Sequence, residues 1–181
     1  MLRFMTLRLS PALDCEFETI AAMVNAAYRG TGEAAGWAHE ADLLAGQRTN
    51  PTTLASDLAE GPDAWLLVAR DEGEDDIIGC VWLDPQSEET WYLGMLTVTP
   101  RLQDRRLGRT LLTAAEAFAA ERGARRMRMS VVSLRLTLIA WYERRGYERT
   151  GEMVPFPHED RRFGTPLRND LEFLILERAL S

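Results

Sequence analysis

The chain has no lysine: all 21 of its basic residues are arginine. It has only two cysteines, Cys15 and Cys80, and two histidines, His39 and His158. None of these falls in a CxxC or Cys/His spacing, so no zinc site or disulfide framework is readable. Long apolar runs are also missing. None approaches the roughly 18 residues of a membrane-spanning helix. The opening MLRFMTLRLSP is too short, and too broken by arginine, for a secretory signal. These absences predict a cytoplasmic protein with no membrane partner, both thiols reduced and packed as small buried hydrophobes. With no internal repeat, low-complexity tract or long linker, one domain over residues 1–181 is expected.

What is present is ordinary in amount and uneven in distribution. Of the 181 residues, 46% are hydrophobic and 27% charged, which suits a folded core. The net charge is −7. Yet residues 101–149 carry 12 arginines against five acids, while the remainder carries 9 against 23. A basic segment on an acidic protein points to a local anionic ligand. A nucleic-acid binder is disfavoured by the net charge and by the scarcity of aromatics, Phe118 alone, among the arginines of residues 101–128.

The pattern of apolar residues gives the element order. Residues 3–9 alternate as a first strand. Ser10 and Pro11 read as a helix cap and first helical position. Phe17, Ile20, Ala21, Val24, Ala27 and Tyr28 recur at helical spacing. Pro51 opens a short helix ending near Gly61. Strands follow at Trp65–Ala69, Ile77–Leu83 and Trp91–Val98. A helix begins near Leu107 and ends at Gly123, followed by a strand through Met127, Met129 and Val131. Leu134–Arg145 is the last helix, and strands at Tyr147–Val154 and Leu171–Arg178 close the chain. A hairpin-built half joined to a βαβ half predicts an α/β protein: a mixed, mostly antiparallel sheet with helices on both faces.

The segment LTVTPRLQDRRLGRTLL, Leu96–Leu112, carries the strongest chemical signal. A strand leads through a proline and an arginine-rich turn into an amphipathic helix. Amides at such a helix start converge, and the helix dipole favours an anion there. A diphosphate fits. The lysine-bearing P-loop pattern is absent, which argues against a nucleotide triphosphatase.

This segment resembles the signature Gln/Arg-x-x-Gly-x-Gly/Ala of the GCN5-related N-acetyltransferase (GNAT) family. Gln103 and Gly108 match, and Arg106 stands where the first glycine is usual. A second stretch, Trp141–Glu152, resembles the family's aromatic-Tyr-x-x-x-Gly-aromatic pattern. The resemblance implies an acetyl-CoA-dependent N-acetyltransferase acting on a primary amine, as a monomer or homodimer. It implies that Leu96, Thr97 and Val98 accompany the pantetheine arm, with an amide near Leu96 stabilising the oxyanion. Gln103, Asp104, Arg105, Arg106, Leu107, Gly108, Arg109 and Thr110 would hold the diphosphate. Arg135 would lie near CoA, where many members have asparagine.

Tyr142 takes the place of the tyrosine that protonates the departing thiolate. A phenol of pKa about 10 is protonated at neutral pH and can donate to a thiolate whose thiol has a pKa of about 8.5. Tyr147 is read as packing. No strand carboxylate offers a general base, since Glu88 and Glu89 lie only at the start of their strand. Acceptor recognition is expected from the loops Gly30–Arg48 (Glu33, Trp37, His39, Glu40, Asp42) and Pro155–Arg168 (His158, Glu159, Asp160). Their carboxylates would draw a small cationic amine. The alternative reading is a catalytically weak acyl-CoA-binding or sensor domain.

Overall fold

The computed structural model describes residues 7–30 and 39–181, with side chains at all of these except Gln103, Asp104, Arg105 and Arg161. Residues 3–6, Glu33 and Trp37 lie outside the described residues.

The elements run β1 (Leu7–Pro11), α1 (Phe17–Arg29), β2 (Leu44–Ala45), α2 (Pro51–Glu60), β3 (Trp65–Asp71), β4 (Gly79–Pro85), β5 (Thr90–Val98) and α3 (Leu107–Ala120). After them come β6 (Arg126–Val132), α4 (Leu136–Glu143), β7 (Glu148–Pro155), β8 (Thr165–Pro166) and β9 (Glu172–Ala179). Seven strands form one sheet in the order β1-β3-β4-β5-β6-β9-β7. Every described pairing in it is antiparallel except β5 with β6. The expected mixed, mostly antiparallel architecture is therefore observed.

Alternation along β3 explains the two helical layers. Leu66 and Val68 point to one face and pack with Phe17, Ile20, Val24 and Leu54 of α1 and α2. Leu67 and Ala69 point to the other and pack with Leu111, Leu112 and Ala115 of α3. With both faces covered, the strand reads as an unbroken apolar run. Burial of each large side chain contributes roughly 1.5–3 kcal/mol.

Two expectations need correction. Ser10 and Pro11 do not begin α1. They end β1, opposite Val68 and Leu67. Proline is tolerated there because β1 is an edge strand that can spare a donor. The turn before α1 is instead tied by Glu16, whose carboxylate accepts the Leu13 N–H at 2.8 Å. Cys15, in that turn, is exposed, whereas Cys80 is buried as expected. Pro51 does open α2, and the Asn50 side chain accepts the Thr53 N–H at 2.9 Å.

The sheet splits at its centre. The described pairs of β5 and β6 run from Thr90 with Arg126 to Tyr92 with Arg128 and go no further. Beyond this the β4–β5 register shifts. Trp82 faces Gly94 and Cys80 faces Thr97, so Met95 and Leu96 together oppose Val81. That is a β-bulge, and Met95 takes a left-handed φ of 50° within it. The extra residue bends β5 away from β6 and opens a gap between neighbouring strands.

Candidate active site

The gap between β5 and β6 forms a cavity of about 80 Å³ that reaches both faces of the sheet. Tyr28 and Arg48 line it from the α1 side; Leu138 and Tyr142 line it from α4. Main-chain direction at β5 follows from its pairing. Thr99 N–H donates to Ile78 O at 2.9 Å, and Thr97 faces Cys80. Antiparallel alternation then turns the backbone groups of Leu96 and Val98 away from β4, toward the gap. Thr97 faces the other way; its hydroxyl donates to Met95 O at 3.0 Å and braces the bulge.

Tyr142 projects from α4 into this cavity. Its ring meets Trp141 edge-on at 4.9 Å and Tyr147 at 5.6 Å. Burial is the main cause that pushes its pKa well above 10, and the nearby Tyr28 and Tyr92 add to it. The phenol is thus a neutral donor throughout the physiological range. Tyr147 is also buried, and its hydroxyl donates to Glu116 at 2.8 Å. Glu116 in turn receives Arg178 through both oxygens, at 3.0 and 2.9 Å. Tyr147 is therefore part of a structural pair beneath α4, in keeping with a packing role.

The turn from β5 to α3 is a short 3-10 segment, Pro100–Arg105, followed by Arg106 at φ 60°, ψ 13°. Arg106 thus adopts the left-handed conformation that glycine takes at lowest cost. Its side chain is exposed, as are Arg109 and Thr110, whereas Leu107 and Gly108 are buried. Leu107 and Gly108 begin α3, at the positive end of the helix dipole. The side chains of Gln103, Asp104 and Arg105 lie outside the described residues.

Arg145 was not singled out by sequence reasoning. Its guanidinium stacks on the Trp141 ring, 3.5 Å from the centroid, and Nη1 donates to Trp141 O at 2.6 Å. Its Nε is buried with no hydrogen-bond partner among the described residues. Burial lowers its pKa most, with further lowering from Arg144 and Arg109. Arg109, Arg144 and Arg145 thus gather near the start of α3, where a buried donor has no acceptor among the described residues. That arrangement suits a phosphate-bearing ligand.

On the opposite side, the two loops expected at the acceptor end meet. β2 pairs with β8, and Leu167 N–H donates to Leu43 O at 2.9 Å. Arg29 binds both loops, through Gly46 O at 3.1 Å and Phe163 O at 3.0 Å. It also pairs with Glu40 at 2.8 Å, and Arg135 approaches the same carboxylate at 3.9 Å. All three side chains are nearly buried, at 8%, 12% and 10% exposed. Arg135 therefore enters the gap, but it is directed to Glu40. Of the acidic loop residues named above, Glu40 alone among the described ones lines this cavity. Asp42, His158 and Glu159 are exposed, His39 is half-buried, and Asp160 is held by Arg162, whose hydrogen bonds lower its pKa.

A wider groove of about 500 Å³ opens beside the cavity on the α2 side. Arg48, Tyr92, Gly94, Met95 and Phe163 border both spaces. Tyr92 hydrogen-bonds with Ser130 Oγ at 2.7 Å, bridging β5 and β6 where their pairing ends. Its ring lies so close to Gly94 that a Cβ there would approach it to 3.0 Å. Asp57 and Asp84 are on the groove wall, and burial is the first cause of the raised pKa of each. Arg48, Asp57, Asp84 and Tyr92 carry no motif; only the tertiary fold gathers them.

Comparison with known proteins agrees with this architecture. No curated protein matches the chain in sequence. Solved structures match its fold. Ribosomal-protein-S18-alanine N-acetyltransferase from Escherichia coli is 17% identical, with a TM-score of 0.68 over 97% of this chain and 95% of that one. A GNAT family acetyltransferase from Elizabethkingia anophelis, with acetyl-CoA bound, is 18% identical, with a TM-score of 0.63 over 96% and 98%. Ard1 from Thermoplasma volcanium is 14% identical, with a TM-score of 0.67 over 97% and 98%. The sequence model of the acetyltransferase (GNAT) family matches residues 33–147. The chain is an acetyltransferase and belongs to the GNAT family.

Proposed function

We propose that this enzyme transfers an acetyl group from acetyl-CoA to a primary amine by direct attack, as a single GNAT domain over residues 1–181. The observation that carries the reading is the split between β5 and β6, with the Leu96 backbone on one wall and the Tyr142 phenol on the other. Acetyl-CoA supplies the thioester. Its pantetheine arm fits along Leu96 and Val98, whose amides and carbonyls face the gap, so that an extended arm can lie against β5 there as an added strand does. The α3 start at Leu107 and Gly108, with Arg106, Arg109 and Arg145, suits the phosphates.

The chain's groups divide the work of transfer. The amine enters by the groove on the α2 side and attacks the thioester carbonyl carbon. A backbone N–H at Leu96 stabilises the oxyanion that develops. As the C–S bond breaks, the Tyr142 phenol gives its proton to the sulfur; the proton lost by the attacking nitrogen passes through solvent and restores the phenol, leaving the neutral amide and CoA thiol. The buried phenol is a poor acid by itself. The same dry surroundings deprive the departing thiolate of water and raise its demand for a proton, so donor and acceptor shift together. Glu40 is committed to Arg29 and Arg135, so it shapes the site and is not assigned as the base.

One observation favours the second reading, a catalytically weak acyl-CoA-binding domain: Arg135 projects into the gap where the donor arm must pass. Thiol release separates the two. A transferase liberates CoA thiol at a rate that depends on added amine, and a binding domain does not. Tyr142→Phe is expected to lower kcat about 10²–10⁴-fold with little change in CoA affinity. A Phe variant with near-normal kcat would remove Tyr142 from the mechanism.

A further inference from the structure

Arg48 stands where the cavity and the groove join, and its surroundings differ from those of Arg29, Arg70 and Arg135. Arg29, Arg70 and Arg135 each lie within 4.0 Å of a carboxylate. Among the described residues, the Arg48 guanidinium has no ion pair and no hydrogen bond. It lies against two aromatic rings, 5.6 Å from the centroid of Tyr28 and 5.7 Å from that of Phe163. Two ring faces within about 6 Å favour the cation without using its five N–H donors.

The backbone beneath it is fixed. Asn25, on α1, accepts the Arg48 N–H at 2.7 Å and the Thr49 N–H at 3.3 Å through Oδ1. Its Nδ2 donates to Thr49 O at 2.9 Å. One side chain thus fastens two residues of the loop to a core helix. Thr49 and Thr53, at the start of α2, border the same groove and add the positive end of that helix dipole. The groove wall carries Asp57 and Asp84 elsewhere. Glu60 and Arg162 line it too, but Arg162 lies within 4.0 Å of Asp57, Glu60 and Asp160, so Arg48 is the lining cation left to attract an oxyanion, in the part of the groove it shares with Gly94 and Met95.

Resting on the amine-transfer reading above, we propose that the acceptor is an amine bearing its own carboxylate within a few bonds, an amino acid, and that Arg48 binds this carboxylate. Arg48 acts as a specificity-determining residue. A planar guanidinium offers a bidentate pair to a carboxylate and holds the neighbouring amine at a set distance. The remaining groove, about 500 Å³, receives the amino acid's side chain.

The test uses matched pairs: arginine with agmatine, phenylalanine with phenethylamine, and each amino acid with its carboxamide. CoA thiol release is measured for the native chain, Arg48→Met and Arg48→Lys, and CoA binding is followed by thermal shift. The native enzyme should favour the amino acid over its partner lacking the carboxylate by about 10–100-fold in kcat/KM, the scale of a hydrogen-bonded charge pair. Arg48→Met should bring each pair to parity, chiefly through KM. Arg48→Lys should restore part of the preference, and CoA binding should not change. Equal rates within the pairs for the native enzyme would overturn the proposal. So would a preference that survives Arg48→Met, or an equal loss toward every amine. If CoA raises the melting temperature but no amine releases thiol, the transfer reading itself fails, and this inference fails with it.

Discussion

Arg106→Gly should stabilise the protein and weaken its hold on CoA at once. Arg106 has φ 60° and ψ 13°, a left-handed conformation imposed on a residue with a Cβ. That conformation costs a non-glycine residue about 1–2 kcal/mol. Glycine removes the penalty but brings more freedom to the unfolded chain, which offsets about 0.4–1 kcal/mol. The net gain is about 0.5–1 kcal/mol, or roughly 1–4 °C in Tm for a chain of this size. The same change deletes an exposed cation beside the start of α3. Exposed pairs are screened, so the loss in CoA affinity should be about 2–10-fold and should shrink as salt rises. Arg106→Ala is the control. It loses the same charge but keeps a Cβ at positive φ, so affinity should fall equally while Tm does not rise. Scanning calorimetry gives Tm, and titration calorimetry at two salt concentrations gives Kd. If Gly and Ala variants melt together, the strain argument is wrong. If native and Gly variants bind CoA alike at low salt, the charge argument is wrong.

Tyr147→Phe removes the phenol that donates to buried Glu116, and should cost about 1.5–3 kcal/mol in chemical denaturation with kcat per folded molecule retained. Unchanged stability would refute the pair. Burial raises the Cys80 thiol from 9.0 to about 12 and the Tyr28 phenol from 10.0 to about 12. The unfolded groups deprotonate first as pH rises, so this stability is full below pH 9 and falls from there through about 12. A denaturation midpoint flat from pH 9 to 11 would contradict it. Native protein should show one reactive thiol, Cys15, and denatured protein two. With no lysine in the chain, prolonged incubation with acetyl-CoA should leave no stable side-chain amide by mass spectrometry.

Elements whose apolar residues face a single neighbour were legible. The α1 face and the α3 face follow from 3.6-residue spacing, and both are buried as the pattern requires. Edges were less so. Ser10-Pro11 has the local chemistry of a helix start, but pairing with Leu67 and Val68 of β3 overrides it. That pairing joins residues nearly sixty positions apart, and nothing local announces it. The two-residue strands β2 and β8 escaped for the same reason: they exist through each other.

The site divides along a similar line. Its donor half is built mainly on one continuous stretch, β5 through α3, so a turn of constrained geometry leaves a sequence mark. Even the departure at Arg106 was readable there, and the structure gives its physical form: the positive φ remains although the glycine does not. The acceptor half has no such stretch. Arg48 comes from a loop pinned by α1, Asp57 from α2, Asp84 from β4 and Tyr92 from β5. Each, read alone, is a solvated charge or a packed ring. The bulge at Met95 connects the halves. It turns Leu96 toward the donor side and, with Gly94, leaves room on the acceptor side beneath the Tyr92 ring. A residue that deletes the bulge would re-pair β5 with β4 in simple register and shift Leu96 to the wrong face, since a one-residue slip reverses every side chain. Donor binding and acceptor entry therefore depend on the same backbone irregularity, while acceptor choice rests on side chains that can vary without disturbing it.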